Sequence, residues 1–210
     1  ARIYGYEQLP VEPPIAQLTF SERAESNVSR RDFSRQLISK GYREAITYSF
    51  IDPETQALFD PQAAPVELLN PIASDMGVMR SSILPGLVAA AVYNLNRQQT
   101  RLKLFETGLG FRQQGEQLDQ SPLLAGLLVG QRLPESWLSA REATVQKSQN
   151  ADLFDFYDIK SDVESLLGLS AEKTVQFLAL DPASPMVALH PGQSAAVYLG
   201  QQLVGYLGLL

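Results

Sequence analysis

The 210-residue chain carries 17 basic and 23 acidic side chains, a formal net charge of −6, which argues against independent nucleic-acid binding because phosphate neutralisation needs Lys and Arg. With no cysteine and one histidine it has no disulfides or thiolate chemistry and little material for a zinc site, which fits a cytosolic protein. At 45% hydrophobic and 19% charged it reads as a globular domain able to bury about 70% of its unfolded surface, with no apolar run near the roughly 20 residues of a membrane span and no signal peptide.

Residues 1–20, with Pro10, Pro13 and Pro14, read as an extended strap, and residues 21–210 as one core domain. A first helix is expected over 22–40, capped by Ser21, with Val28, Phe33, Leu37 and Ile38 as an uneven apolar stripe and Gly41 as its stop. Residues 42–50 alternate like a strand, with Ile46, Tyr48 and Phe50 on one face and Ala45, Thr47 and Ser49 on the other. Asp52-Pro53 opens a short helix ending near Phe59, and 66–69 is a strand. Val78 to Arg80 is a brief extended run, Ser82 a cap and Pro85 a first-turn residue. A buried helix follows, with Leu87, Val88, Ala91, Val92 and Leu95 on one broad apolar face. A strand over 102–108, a polar hairpin loop over 113–120 and a strand over 123–129, buried on both faces at the sheet's centre, come next.

Residues 131–152 form an excursion around Pro134 and Trp137, with little to pack over 146–150. A helix whose apolar face is Ile159, Val163, Leu166 and Leu167 stops at Gly168, and 175–180 is a strand. A loop over 181–185 precedes two strands, 195–199 and 202–207, flanking a Gly200-Gln201 hairpin turn. Asp152, Asp155, Asp158 and Asp162 read as a solvated acidic face, since they lack the glycine and terminal Glu of a calcium loop. His190, before Pro191, reads as a loop or strand-entry residue.

Several stretches fall in a telling order: Gly41-Tyr42-Arg43-Glu44-Ala45-Ile46-Thr47-Tyr48-Ser49-Phe50, Asn70-Pro71-Ile72, Met79-Arg80-Ser81-Ser82, Leu104-Phe105-Glu106-Thr107-Gly108 and His190-Pro191-Gly192-Gln193-Ser194-Ala195. Together they resemble the synthetase-like core of the beta chain of bacterial phenylalanine–tRNA synthetase, over nearly the whole chain. The resemblance implies an α+β fold, an antiparallel sheet flanked by helices of the class II aminoacyl-tRNA synthetase type. Ala1 is then read as the start of an excised piece truncated at its C-terminus. The acidic cluster taken to bind magnesium in the family would lie upstream of it.

Helix, glycine, aromatic and strand read alone as a helix packed on its own sheet; under the resemblance they match motif 1, which builds the subunit interface. The expected interface residues are Phe33, Leu37, Ile38, Tyr42, Ile46 and Tyr48. Class II catalysis uses an arginine two positions before the motif 2 glutamate, because a guanidinium fork grips the ATP phosphate. Here Leu104 stands two positions before Glu106, and the neighbouring Lys103 faces the other way along a strand. The stretch 205–210 likewise carries no motif 3 arginine. Arg80 and Glu106 are read as residues of a vestigial pocket, or more simply as partners in polar contacts.

The resemblance thus implies a non-catalytic domain with no catalytic residue, metal site or cofactor of its own. It would assemble with the catalytic alpha subunit and a second beta subunit into a cytoplasmic heterotetramer that charges tRNA with phenylalanine, using ATP and magnesium in the full enzyme. Transfer RNA would meet the full enzyme only, and no membrane is involved. Two alternatives stay open: a domain still binding ATP through Arg80 or Arg97, and a tRNA-binding module.

Overall fold

The computed structural model describes residues 2–10, 13, 15, 28–115, 117–134, 153–170, 174–181 and 186–210. Within the strap region a short 3-10 turn spans Tyr6–Gln8, and the rest of that expectation falls mostly outside the described residues. So do Ser21, Trp137, Asp152 and the stretches 146–150 and 182–185.

Among the described residues there are three three-stranded sheets and four α-helices. The centrepiece is a long antiparallel hairpin, β5 (Leu102–Gln114) with β6 (Gln117–Val129). Its turn is tighter than the loop expected over 113–120, because both strands run to within two residues of each other. The short β1 (Arg43–Glu44) lies parallel to β5, so the sheet is not purely antiparallel. A second sheet orders β2 (Phe50–Ile51), β4 (Val78–Met79) and β3 (Val66–Glu67). A third orders β7 (Val175–Ala179), β8 (Ser194–Leu199) and β9 (Gln202–Gly208), all antiparallel.

Helices cover both faces of the hairpin. On one face α3 (Leu84–Leu95) brings Ile83, Leu87 and Ala91 onto Leu102 and Leu104, with Leu123, Ala125, Leu127 and Val129 around them. On the other, Leu37 of α1 (Arg30–Ser39) joins Tyr42, Phe105 and Leu166. The last belongs to α4 (Phe156–Leu167), whose Phe156, Ile159, Val163 and Leu167 pack on Ala195, Val197 and Leu207 of the third sheet. Helix α4 therefore joins two cores, and apolar burial, at about 25 cal/mol per Å2, holds the two sheets on it.

Several expectations change. Helix α1 starts at Arg30, not 22: Val28 and Ser29 are non-helical, and Ser29 caps the helix with its N–H and hydroxyl donated to Asp32 at 2.9 and 2.6 Å. The stop holds, with Gly41 at φ +85. The strand over 42–50 is broken into β1 and β2 with an irregular extended stretch between. Strand β6 is half-buried and ends its sheet rather than lying at the centre. Helix α3 is buried along a narrow stripe only, leaving Val92 and Leu95 exposed. By contrast α2 (Pro53–Phe59) begins as the sequence implies, Asp52 accepting the Thr55 N–H at 2.9 Å, and the Gly200-Gln201 hairpin joins β8 to β9.

Candidate functional site

Strand alternation divides the chemistry of β5 between its two faces. Leu102, Leu104 and Glu106 look toward α3, while Lys103, Phe105 and Thr107 look toward α1.

On the α3 side, Arg80 leaves β4 and meets Glu106, Nη1 to Oε1 at 2.8 Å, with both residues only 2% exposed. Thr47 completes the centre: its hydroxyl accepts from Arg80 Nη1 at 2.9 Å and donates to Glu106 Oε2 at 2.7 Å. Arg80 Nε donates to the Leu109 carbonyl at 3.2 Å, and the Arg80 backbone bonds Ser49 and Phe111 on either side. Two glycines make room. A Cβ on Gly108 would collide with the Arg80 guanidinium, and one on Gly86 in α3 would collide with the Thr47 side chain. The guanidinium is therefore spent within the chain, and its carboxylate partner is neutralised and desolvated with it.

The two sequence-derived pocket residues are thus brought together, as an ion pair. Beside them a second buried network links Gln56 of α2, Ser81 and Asp60, with Ser81 Oγ donating to Asp60 at 2.8 Å and Arg112 reaching the same carboxylate at 2.8 Å. Arg97, the other arginine considered for nucleotide binding, stacks over the exposed Tyr93 ring at 3.3 Å on the outer face of α3.

The six expected interface residues separate. Leu37 and Tyr42 are each 3% exposed and belong to the internal core, so neither offers a surface to a partner. Phe33 packs half-buried against that core. Ile38 is exposed, Tyr48 is 68% exposed and Ile46 is 92% exposed. The alternation read over 42–50 holds between 45 and 49, and the structure decides which face is which: Ala45, Thr47 and Ser49 turn inward and Ile46 and Tyr48 turn out. On the inward face Ala45 packs on the core around Ile83 and Leu87, and the Thr47 hydroxyl is taken by the ion pair below it.

On the α1 side, Asp162 is buried and accepts from Tyr42 Oη at 2.7 Å and Lys40 Nζ at 2.8 Å, with Lys103 Nζ 3.7 Å away. Burial, and then the Asp162 hydrogen bond, push the Tyr42 phenol well above its ordinary range. This corrects the solvated-face reading for Asp162. Asp155 and Asp158 instead cap α4, Asp155 accepting from the Tyr157 and Asp158 N–H groups, and both hold Arg132 at 3.1 Å. Among the described residues no cluster of His, Cys, Asp or Glu could hold a metal, and no helix is long and apolar enough to cross a membrane. His190 sits in a turn, its Nδ1 accepting the Gly192 N–H at 3.1 Å.

Reading the sequence missed Thr47, Gly86 and the Lys103–Asp162 pair. Gly108 did leave a signal, because an isolated glycine within a strand pattern marks a close approach. The tie between 47 and 106 leaves none.

This α+β arrangement of small sheets and helices shares its fold with the class II aminoacyl-tRNA synthetases. A pyrrolysyl tRNA synthetase of Desulfitobacterium hafniense superposes with a TM-score of 0.55 over 83% of this chain and 52% of that one, at 14% identity, a likeness of fold alone. The profile of the phenylalanyl tRNA synthetase beta chain CLM domain matches residues 9–210, and the chain belongs to that family. The phenylalanine–tRNA ligase beta subunits of Pseudomonas fluorescens and Pseudomonas putida are each 46% identical to it over 210 residues, 100% of this chain and 25% of theirs. That of Yersinia pestis is 44% identical over 214 residues. The chain thus spans about a quarter of the length of these relatives.

Proposed function

We propose that this domain is a non-catalytic scaffold: it assembles the beta subunit with a catalytic alpha subunit and a second beta subunit, in a cytoplasmic heterotetramer that joins phenylalanine to its tRNA. The observation that carries this reading is the closed Arg80–Glu106–Thr47 centre. Phosphoryl chemistry needs a cation aimed at the substrate, where it stabilises charge developing in the transition state. In this chain the guanidinium beside the motif 2 glutamate is committed to that glutamate and to Thr47. Leu104, where the family's catalytic relatives carry arginine, is buried against α3.

ATP and magnesium are then requirements of the whole enzyme, met outside this domain. The exposed Ile46 and Tyr48 support an assembly role, since large apolar side chains held in water are the raw material of an interface. A nucleotide-binding role for Arg97 finds no support in its stacking on Tyr93, and the −6 charge disfavours an independent tRNA module.

The test is to replace the ion pair by an apolar one, Arg80→Met with Glu106→Leu, in the full enzyme. The amino-acid activation kcat, read by pyrophosphate exchange, is expected to stay within about twofold, whereas loss of a phosphate-clamping arginine would lower it about 100-fold or more. A drop of that size in a correctly assembled enzyme would replace the scaffold reading with the ATP-binding one. MgATP titration of the beta subunit alone is expected to give no saturable heat.

A further inference from the structure

We draw no further inference here: the strongest candidate, the buried side-chain cluster on α4 in which Asp162 takes Tyr42, Lys40 and Lys103 from the hairpin side, belongs to the contact between α4 and the hairpin already described, and nothing in the structure shows a ligand or a second state for it.

Discussion

Removing the Glu106 carboxyl strands a buried guanidinium, whose other partners among the described residues are the Thr47 hydroxyl and the Leu109 carbonyl. Glu106→Ala is therefore expected to cost about 3–5 kcal/mol, read as a fall in the urea midpoint, while the paired exchange Arg80→Met/Glu106→Leu recovers most of it. Tyr42 offers a test in pH. An unfolded tyrosine ionises near pH 10, whereas the folded phenol is raised above that by burial and by Asp162. The stability it lends is complete below the unfolded value and is lost as pH rises toward the folded one, because the unfolded state loses its proton first. Above about pH 9.5 the wild-type midpoint should fall more steeply with pH than that of Tyr42→Phe. Parallel profiles would contradict the burial of this phenol.

At the scale of elements, local chemistry was legible where it is self-contained. Asp52-Pro53 announces α2 because cap and first-turn proline act within four residues, and Gly200-Gln201 announces its hairpin likewise. Asp52→Ala should accordingly cost about 1 kcal/mol, measurable by thermal unfolding. Elements decided by distant partners were not legible. The start of α1 at Arg30, with Ser29 as its cap pairing Asp32, is the exception: that signal is as local as the one read at Ser21, and two rival local signals do not say which one wins. The stripe on α1 shows apolar positions but not what covers them: Leu37 lies under Phe105 and Leu166, well over 60 residues away in sequence. Leu37→Asp is therefore expected to unfold the domain rather than free an intact one from its partner, with a cost of at least about 2–5 kcal/mol by analogy with core truncation. Circular dichroism on the purified variant distinguishes the two. Which face of 45–49 turns inward was unreadable for the same reason, since period-2 alternation gives two faces and the remote core and ion pair say which is inside.

At the scale of the molecule, the resemblance carried by five ordered landmarks covered nearly the whole chain, and the family profile spans residues 9–210. The class II fold was legible that way, although periodicity alone would have stopped at an α+β domain. The candidate site was legible as two residues, Arg80 and Glu106, but not as the closed pair they form. The proposed assembly role rests on closure inside and apolar side chains outside. The most direct measurement is light scattering on a sizing column, with the full-length beta subunit mixed with its alpha partner, as wild type and as Ile46→Asp/Tyr48→Asp. The wild type should elute as one defined complex, and the variant, with an unaltered circular dichroism spectrum, as separate subunits. A variant that co-elutes with the alpha subunit as the wild type does would contradict the assembly role assigned to this face.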